Sequence, residues 1–143
     1  MINSIGRRKA STARIYVTKG AGKITINGKD MKDYFPMPST QATILDPLKV
    51  AESEGQYDIK ITVAGGGFKG QSEAIRMAIS RSLVKINEDF KKPLKDKKFL
   101  TRDAREVERK KFGKPKARKS FQFSKRQSFY HHFINTKDKF KKK

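Results

Sequence analysis

Residues 57–87 read YDIKITVAGGGFKGQSEAIRMAISRSLVKIN, and this stretch decides the fold. Its first eight residues alternate between apolar and polar side chains, which predicts a half-buried strand over residues 57–64. Three glycines end the strand, and helical spacing of apolar residues then predicts a helix over residues 71–87. The residues on the apolar face of this helix are Ile75, Ile79, Ser82, Leu83 and Ile86. A strand followed at once by an amphipathic helix favours a sheet packed against that helix.

Two further strands are predicted on the N-terminal side, over residues 13–18 and 23–27. The glycine-rich residues 19–22 between them predict a hairpin, and Asn27-Gly28 predicts another turn. Together with residues 57–64, these segments give a sheet of at least three strands. The predicted fold class is therefore α+β, a small sheet packed against helices.

Four signals divide the rest of the chain. Residues 30–35 and 40–52 favour short helices, the second interrupted at Pro47. Pro93 is expected to separate the first part of the body from the later segments. A basic helix is predicted over residues 101–111, with Asp103 and Glu106 as a capping box and Gly113 and Pro115 as stop signals. The expected domains are a globular RNA-binding body over residues 1–113, which includes this helix, and an extended basic tail over residues 114–143.

Charge is distributed unevenly along the 143 residues. Residues 1–90 carry 14 Lys and Arg against nine Asp and Glu, whereas residues 91–143 carry 21 against five, so their net charges are +5 and +16. Such a basic extension repels itself and buries little in isolation, so it requires a polyanionic partner. The alternative interpretation is that the basic extension only increases solubility and has no binding partner.

Several classes of site and protein are excluded or disfavoured. The chain has no cysteine, which excludes disulfides and thiolate chemistry. No apolar run has signal-peptide or membrane-span length, so a cytoplasmic protein without membrane contact is expected. The pair His131-His132 has no carboxylate cluster nearby and is interpreted as exposed. No combination of nucleophile, base and orienting group is present, so neither a catalytic residue nor a metal or cofactor is predicted.

The segment Gly65–Gly70 matches the pattern G-x-G-x-x-G between a strand and a helix. A dinucleotide site also needs an acidic residue at the end of a second parallel strand. The predicted helix runs almost to Glu88 and leaves no room for that strand, so nucleotide binding is disfavoured. Other interpretations remain open, and one of them is a purely structural turn. The glycines allow close backbone approach, or the helix start attracts a phosphate, including one that belongs to RNA.

Basic side chains cluster in three places suited to phosphate binding. The predicted RNA-binding residues are Arg7, Arg8, Lys9 and Arg14 near the N-terminus; Arg102, Arg105, Arg109, Lys110 and Lys111 in the predicted basic helix; and Lys114, Lys116, Arg118 and Lys119 in the tail. Phe121 and Phe123 are candidates for stacking on bases. A free protein that binds DNA or anionic membranes is disfavoured because no docking element or amphipathic basic helix accompanies the charge.

An ordered set of motifs resembles one known family. The segments are residues 6–14 (GRRKASTAR), 22–28 (GKITING), 34–35, 65–67, 70–71, 74–76, 100–103 (LTRD), 107–111 (VERKK), 113, 116–118 and 122–126 (QFSKR). In this order they resemble the universal small-subunit ribosomal protein nine family, of bacterial type. The resemblance spans about residues 5–126.

The resemblance implies a body similar to the second domain of ribosomal protein S-five, bound to ribosomal RNA in the head of the small subunit beside neighbouring head proteins. It also implies that the tail reaches the peptidyl-site tRNA, where Lys125 and Arg126 would contact phosphates. No activity and no cofactor are implied. The chain departs from the family pattern by the extension Gln127–Lys143. Either this extension packs aside through Phe129 and Phe133, or it is disordered.

Overall fold

The fold is taken from a computed structural model, which describes residues 1–123. Its elements in chain order are β1 (Ile2–Arg8), β2 (Ser11–Lys19), β3 (Ile24–Ile26), β4 (Lys29–Asp30), α1 (Met31–Tyr34), α2 (Pro38–Val50), β5 (Tyr57–Ala64), α3 (Phe68–Ile86), a 3₁₀ turn (Glu88–Phe90) and α4 (Lys91–Asp96). The strands form one five-stranded sheet in the order β1-β2-β5-β3-β4. These elements lie in a first compact unit, Met1–Arg105, and residues 106–123 belong to a second.

The middle strand and the long helix are as the sequence predicts. Strand β5 buries Ile59, Ile61 and Val63 and exposes the residues between them. It pairs antiparallel with β2 and parallel with β3, so it is hydrogen-bonded on both sides. Helix α3 begins at Phe68, three residues before the predicted start, and buries its predicted apolar face, except that Ile86 is only partly buried. The predicted α+β class is confirmed.

The predicted hairpin between the second and third strands is wrong, because β5 lies between β2 and β3. The carboxylate of Asp58 explains how the linker is held away from β2. Its Oδ1 accepts hydrogen bonds from the backbone N–H groups of Gly22 at 3.0 Å and Lys23 at 2.8 Å. The linker therefore passes around the start of β5. A glycine-rich turn signals a change of direction but does not specify the neighbouring strand.

Strand β1 was not predicted from the sequence, where residues 6–9 were interpreted only as a basic cluster. The inward-facing residues of β1 are Ser4 and Gly6, and the apolar Ile5 points outward. Ser4 donates a hydrogen bond to the carbonyl of Ala78 at 2.6 Å, and a Cβ built on Gly6 would lie 2.0 Å from the carbonyl oxygen of Ala74. Strand and helix are too close here for apolar side chains, so the usual alternation is absent.

The two short helices also form, but Pro47 does not interrupt α2. This helix is continuous over Pro38–Val50 and begins with Pro38 in its first turn, where the missing N–H costs nothing. Pro47 lies in the last turn with its ring buried, and its carbonyl accepts a hydrogen bond from Ala51 at 3.1 Å. Burial of the ring offsets the one helical hydrogen bond that Pro47 cannot make.

The predicted helix over residues 101–111 is absent, and this segment has no regular structure. Val107 within the segment and Phe112 directly after it are 88% and 96% exposed, so no tertiary packing supports a short helix. Asp103 instead accepts a hydrogen bond from the backbone N–H of Arg105 at 3.1 Å, a local bond that competes with helix formation.

Pro93 does not separate the body from the later segments. It lies inside α4, whose Leu94 is fully buried in the core. Beyond this helix, Phe99 and Leu100 are partly buried against the core. The first compact unit therefore continues to Arg105, whereas the domain boundary predicted between residues 113 and 114 stays a prediction.

Candidate nucleic-acid interface

A cleft of about 790 Å³ lies at the N-terminal end of α3. It is bordered by the β1–β2 turn, the first turns of α3 and the segment 97–105, and we call it the basic cleft. Its cationic lining residues are Arg7, Arg8, Lys9, Lys69, Arg76, Lys97, Lys98, Arg102 and Arg105, and its carboxylates are Glu73 and Asp103. Cations therefore outnumber carboxylates by nine to two, which suits a polyanionic ligand.

The side chain of Arg8 is largely enclosed, with only 12% of its surface exposed. Its Nε lies 2.6 Å from Oε2 of Glu73, and its Nη2 lies 3.1 Å from Oδ2 of Asp103. Its Nη1 also donates to the carbonyl of Arg105 at 2.9 Å. We call Arg8, Glu73 and Asp103 the Arg8 latch. Because both sides of the guanidinium are engaged, Arg8 holds residues 103–105 against α3.

Asp103 is shared between two arginines. Its Oδ2 accepts from Nη2 of Arg105 at 2.7 Å, and its Oδ1 accepts from Nε of the same side chain at 3.0 Å. The side-chain hydrogen bonds from Arg105, followed by its backbone N–H, hold the pKa of Asp103 well below its usual range. The same pairing raises the pKa of Arg105. Asp103 therefore stays ionised at neutral pH and keeps the latch closed.

A second contact holds the same segment. The guanidinium carbon of Arg76 lies 4.9 Å from the centroid of the Phe99 ring, a cation–π geometry. The backbone N–H of Phe99 donates to the carbonyl of Leu94 at 3.0 Å. Two arginines that approach from the helix and the first strand thus fix the wall of the basic cleft.

The glycine loop packs directly on the β1–β2 turn. Gly65 and Gly66 have φ of +74° and +66°, and a Cβ on Gly65 would lie 2.4 Å from the carbonyl oxygen of Ala10. The Gly65 carbonyl accepts from Oγ of Ser11 at 3.1 Å and from Nε2 of Gln71 at 3.0 Å. The close-approach interpretation is therefore confirmed. Beyond these glycines, Lys69 and Gly70 line the basic cleft, so the start of α3 faces it.

The structure divides the predicted N-terminal cluster. Arg7, Arg8 and Lys9 border the basic cleft, and Arg102 and Arg105 join them from more than ninety residues further along the chain. Arg14 does not: it pairs with Thr62 of β5 on the exposed face of the sheet and lines a different hollow.

Sequence reasoning missed four cleft residues. They are Lys69, Arg76, Lys97 and Lys98. Two of these cations form the pair Lys97-Lys98, and Lys69 lies inside the glycine pattern, so a weak signal was present at three positions. The fold was needed to bring them together, since nearly thirty residues of chain separate Lys69 from Lys97.

The segment 106–123 is irregular and mostly exposed. Arg109, Lys110, Lys114, Lys116, Arg118 and Lys119 are exposed, and Lys111 is half-buried. Glu108 pairs with Lys111 and with Nε of Arg118 at 2.8 Å, and hydrogen bonds from these two side chains, that of Lys111 first, lower the pKa of Glu108. Phe121 and Phe123 are 67% and 83% exposed. The predicted tRNA contacts Lys125 and Arg126, and the extension with Phe129 and Phe133, lie outside the described residues.

Residues 1–123 bear on two further classes of site, metal centres and membrane spans. No group of three or more His, Cys, Asp or Glu side chains there could hold a metal ion. No helix within the same range is both long and apolar enough to cross a membrane.

Comparison with known proteins identifies close relatives. The sequence pattern of the family described as Ribosomal protein S9/S16 matches residues 6–126. The small ribosomal subunit protein uS9 of Porphyromonas gingivalis is 58% identical over 125 residues, which cover 87% of this chain and 98% of the relative. The uS9 proteins of Parabacteroides distasonis and Cytophaga hutchinsonii are 57% and 52% identical over 126 residues, covering 88% of this chain and 98% of each relative. Residues 127–143 lie outside the family match.

Proposed function

This chain belongs to the ribosomal protein S9/S16 family, and we propose that it binds small-subunit ribosomal RNA in the head through the basic cleft. Family membership makes it a structural, non-enzymatic constituent of the small ribosomal subunit in translation. The same membership assigns it to the cytoplasmic ribosome, with ribosomal RNA and ribosomal proteins as its partners. The resemblance found in the sequence is thereby confirmed.

The cleft's charge balance is the single observation that carries the proposal. Both carboxylates in its lining are engaged by arginines, Glu73 by Arg8 and Asp103 by Arg8 and Arg105. The lysines at positions 9, 69, 97 and 98 are exposed around the start of α3. Exposed cations beside a helix N-terminus favour phosphate ligands. We assign Arg8 to the positioning of residues 103–105 and these lysines to direct phosphate contact.

A matched pair of variants tests this cleft. Lys9→Gln with Lys69→Gln should weaken binding of the full chain to small-subunit RNA by about tenfold, because the variant lacks two charge-assisted hydrogen bonds to phosphate. Lys29→Gln with Lys32→Gln removes the same charge from exposed positions that do not line the cleft. Equal affinity for the two variants would reject the basic cleft as the binding surface.

We also propose that the tail reaches the peptidyl-site tRNA through Lys125 and Arg126. Two observations support this role: the family match includes both residues, and the described segment before them is basic and exposed. Neighbouring head proteins are proposed as partners on the same ground of family membership. The finer statement that phosphates are contacted rests on the family resemblance.

The tail proposal is tested in assembled subunits. Lys125→Ala with Arg126→Ala should lower retention of peptidyl-site tRNA and leave subunit assembly unchanged. A chain that ends at Arg126 should retain tRNA as the full chain does. Cross-linking with sequencing then reports whether the tail meets tRNA or only ribosomal RNA, and equal tRNA retention in all three proteins would contradict the proposal.

A further inference from the structure

A second hollow, of about 660 Å³, lies beside strand β1 and is separate from the basic cleft. It is lined by Asn3 and Ile5 of β1, by Arg14 and Tyr16 of β2, and by Arg81 and Lys85 of α3, among others. We call it the edge hollow, because β1 is the first strand of the sheet and has β2 as its sole strand neighbour in the described chain. In the sequence, Arg81 and Lys85 lie off the centre of the helix's apolar face, and no role was predicted for them.

The two helix cations are fixed in place by backbone carbonyls of β1. Nη1 of Arg81 donates to the carbonyl of Ile5 at 2.9 Å, and Nζ of Lys85 donates to the carbonyl of Asn3 at 2.7 Å. These bonds satisfy acceptors that an edge strand would otherwise present to other strands. A carbonyl carries no net charge, so each side chain keeps its positive charge. Arg has five N–H donors and Lys three, so both retain donors for a ligand.

The charge in the edge hollow is uncompensated. Arg14, Arg81 and Lys85 line it, and none of the described residues that line it is a carboxylate. This differs from the basic cleft, where Glu73 and Asp103 occupy part of the cationic surface. Three cations held together without an acid repel one another and favour an anionic ligand.

The spacing of the cations favours a linear polyanion. Arg81 and Lys85 are four residues apart on α3, so their side chains leave the same face of the helix about 5–6 Å apart at Cβ. This is comparable to the separation of successive phosphates along one nucleic-acid strand. Tyr16, which is half-buried, lines the same hollow and adds an aromatic ring to it. Cations beside an aromatic ring are typical of RNA-binding surfaces.

We propose that the edge hollow is a second RNA-binding surface, in which Arg81 and Lys85 contact successive phosphates and Arg14 contacts the same strand. This inference rests on the proposed function and extends it to a named surface with its own residues. Phosphate contacts position a protein without reading sequence, so two separate phosphate-binding surfaces fix its orientation on folded RNA better than one.

The test measures affinity of the full chain for small-subunit RNA as a function of KCl concentration. Arg81→Gln with Lys85→Gln should reduce the slope of log affinity against log salt by about two, one for each phosphate that is no longer neutralised. Arg14→Gln should reduce it by about one. The control, Lys49→Gln with Lys92→Gln, removes two exposed cations that do not line the hollow and should leave the slope unchanged.

Arg14→Gln also separates a loss of RNA contacts from a folding defect of the Arg81 and Lys85 double variant. Substitution of Arg81 and Lys85 removes hydrogen bonds to β1, whereas Arg14 lies on the exposed face of β2 and its substitution leaves those bonds intact. A reduced slope for Arg14→Gln at unchanged thermal stability would support the proposal even if the double variant unfolds. Equal slopes for Arg14→Gln and the wild-type chain would overturn it.

The remaining outcomes separate this inference from the proposed function. If Lys9→Gln with Lys69→Gln weakens binding but the edge-hollow variants behave like the control, the second surface is rejected and the basic cleft stands. If neither set changes RNA affinity, the proposed function fails as well. If the edge-hollow variants bind isolated RNA normally but are absent from assembled subunits, an acidic protein segment occupies the hollow, and the RNA assignment is wrong.

Discussion

The compact unit of residues 1–105 and the segment of residues 106–123 use the same cationic side chains in opposite ways. In the compact unit, carboxylates and carbonyls hold arginines in defined positions, as Glu73 and Asp103 do for Arg8. In the segment, most cations project from irregular backbone, and Glu108 pairs with the half-buried Lys111 and the exposed Arg118. The core shapes the first region before any ligand binds, whereas the large apolar side chains of residues 106–123 are exposed, so we expect this segment to take its shape from a partner.

The largest loss of folding stability is expected from a substitution where β1 packs on α3. Gly6→Ala should destabilise the protein by about 3 kcal/mol, because the new methyl group would lie 2.0 Å from the carbonyl oxygen of Ala74 and 2.8 Å from the backbone nitrogen of Ala78. Backbone atoms of a packed helix cannot rotate away. Denaturant unfolding measures the change, with Gly67→Ser as control because a Cβ at Gly67 meets nothing within 4 Å. Similar stability for both variants would show that β1 is not tightly packed on the helix.

The close packing at Gly6 also shows why some parts of the fold could be predicted from the sequence and others could not. The period-two pattern of β5 and the helical pattern of α3 result from burial of large apolar side chains, which a sequence displays directly. Strand β1 buries Ser4 and Gly6, so close packing replaces apolar alternation. The false helix over residues 101–111 has the opposite cause. Its capping residues were favourable, but no apolar face existed to hold it, and Asp103 bonded to Arg8 and Arg105 instead.

The candidate site was predictable only in part, for a related reason. The triplet Arg7-Arg8-Lys9 and the arginines at 102 and 105 stand out by local density, and the fold brings them together. Lys69, Arg76, Arg81 and Lys85 are scattered on a helix whose strongest signal is its apolar face. Their surfaces are defined by what β1 and the segment 97–105 place opposite them, which is information about tertiary structure.

Disruption of the Arg8 latch should cause the next largest loss of folding stability. Arg8→Met should cost about 2 kcal/mol, because it leaves Glu73 and Asp103 near each other without their shared cation. Hydrogen exchange should show faster opening of residues 99–105, while the central strand β5 stays protected. Adding Glu73→Gln to Arg8→Met should restore part of the stability, since one unpaired carboxylate is removed. If the single variant leaves exchange at residues 99–105 unchanged, the latch does not hold this segment.

Acid should release the same segment before it unfolds the core. Hydrogen bonds from Arg105 lower the pKa of Asp103 in the folded protein, so the stabilisation is complete above the ordinary Asp pKa of about 4. It is lost as the pH falls further below that value. Hydrogen exchange of residues 99–105 should therefore be unchanged between pH 7 and pH 5, once corrected for intrinsic exchange rates. Asp103→Asn is the control, because it should show the open behaviour throughout. A transition near pH 6 would show that another group controls the segment.

The smallest change in folding stability is expected from removal of the tail, and this deletion tests the comparison between the two regions most directly. Deletion of residues 119–143 should change the free energy of unfolding by less than about 0.5 kcal/mol, because the buried core residues of the described chain all precede residue 95. The same deletion should greatly reduce affinity for RNA and its dependence on salt, since residues 119–143 carry many lysines and few acids. Thermal unfolding followed by circular dichroism measures the first quantity, and a salt titration of RNA binding measures the second. A cooperative transition that disappears on truncation would mean that the tail completes the fold, and the division between a preformed body and a partner-shaped segment would then be wrong.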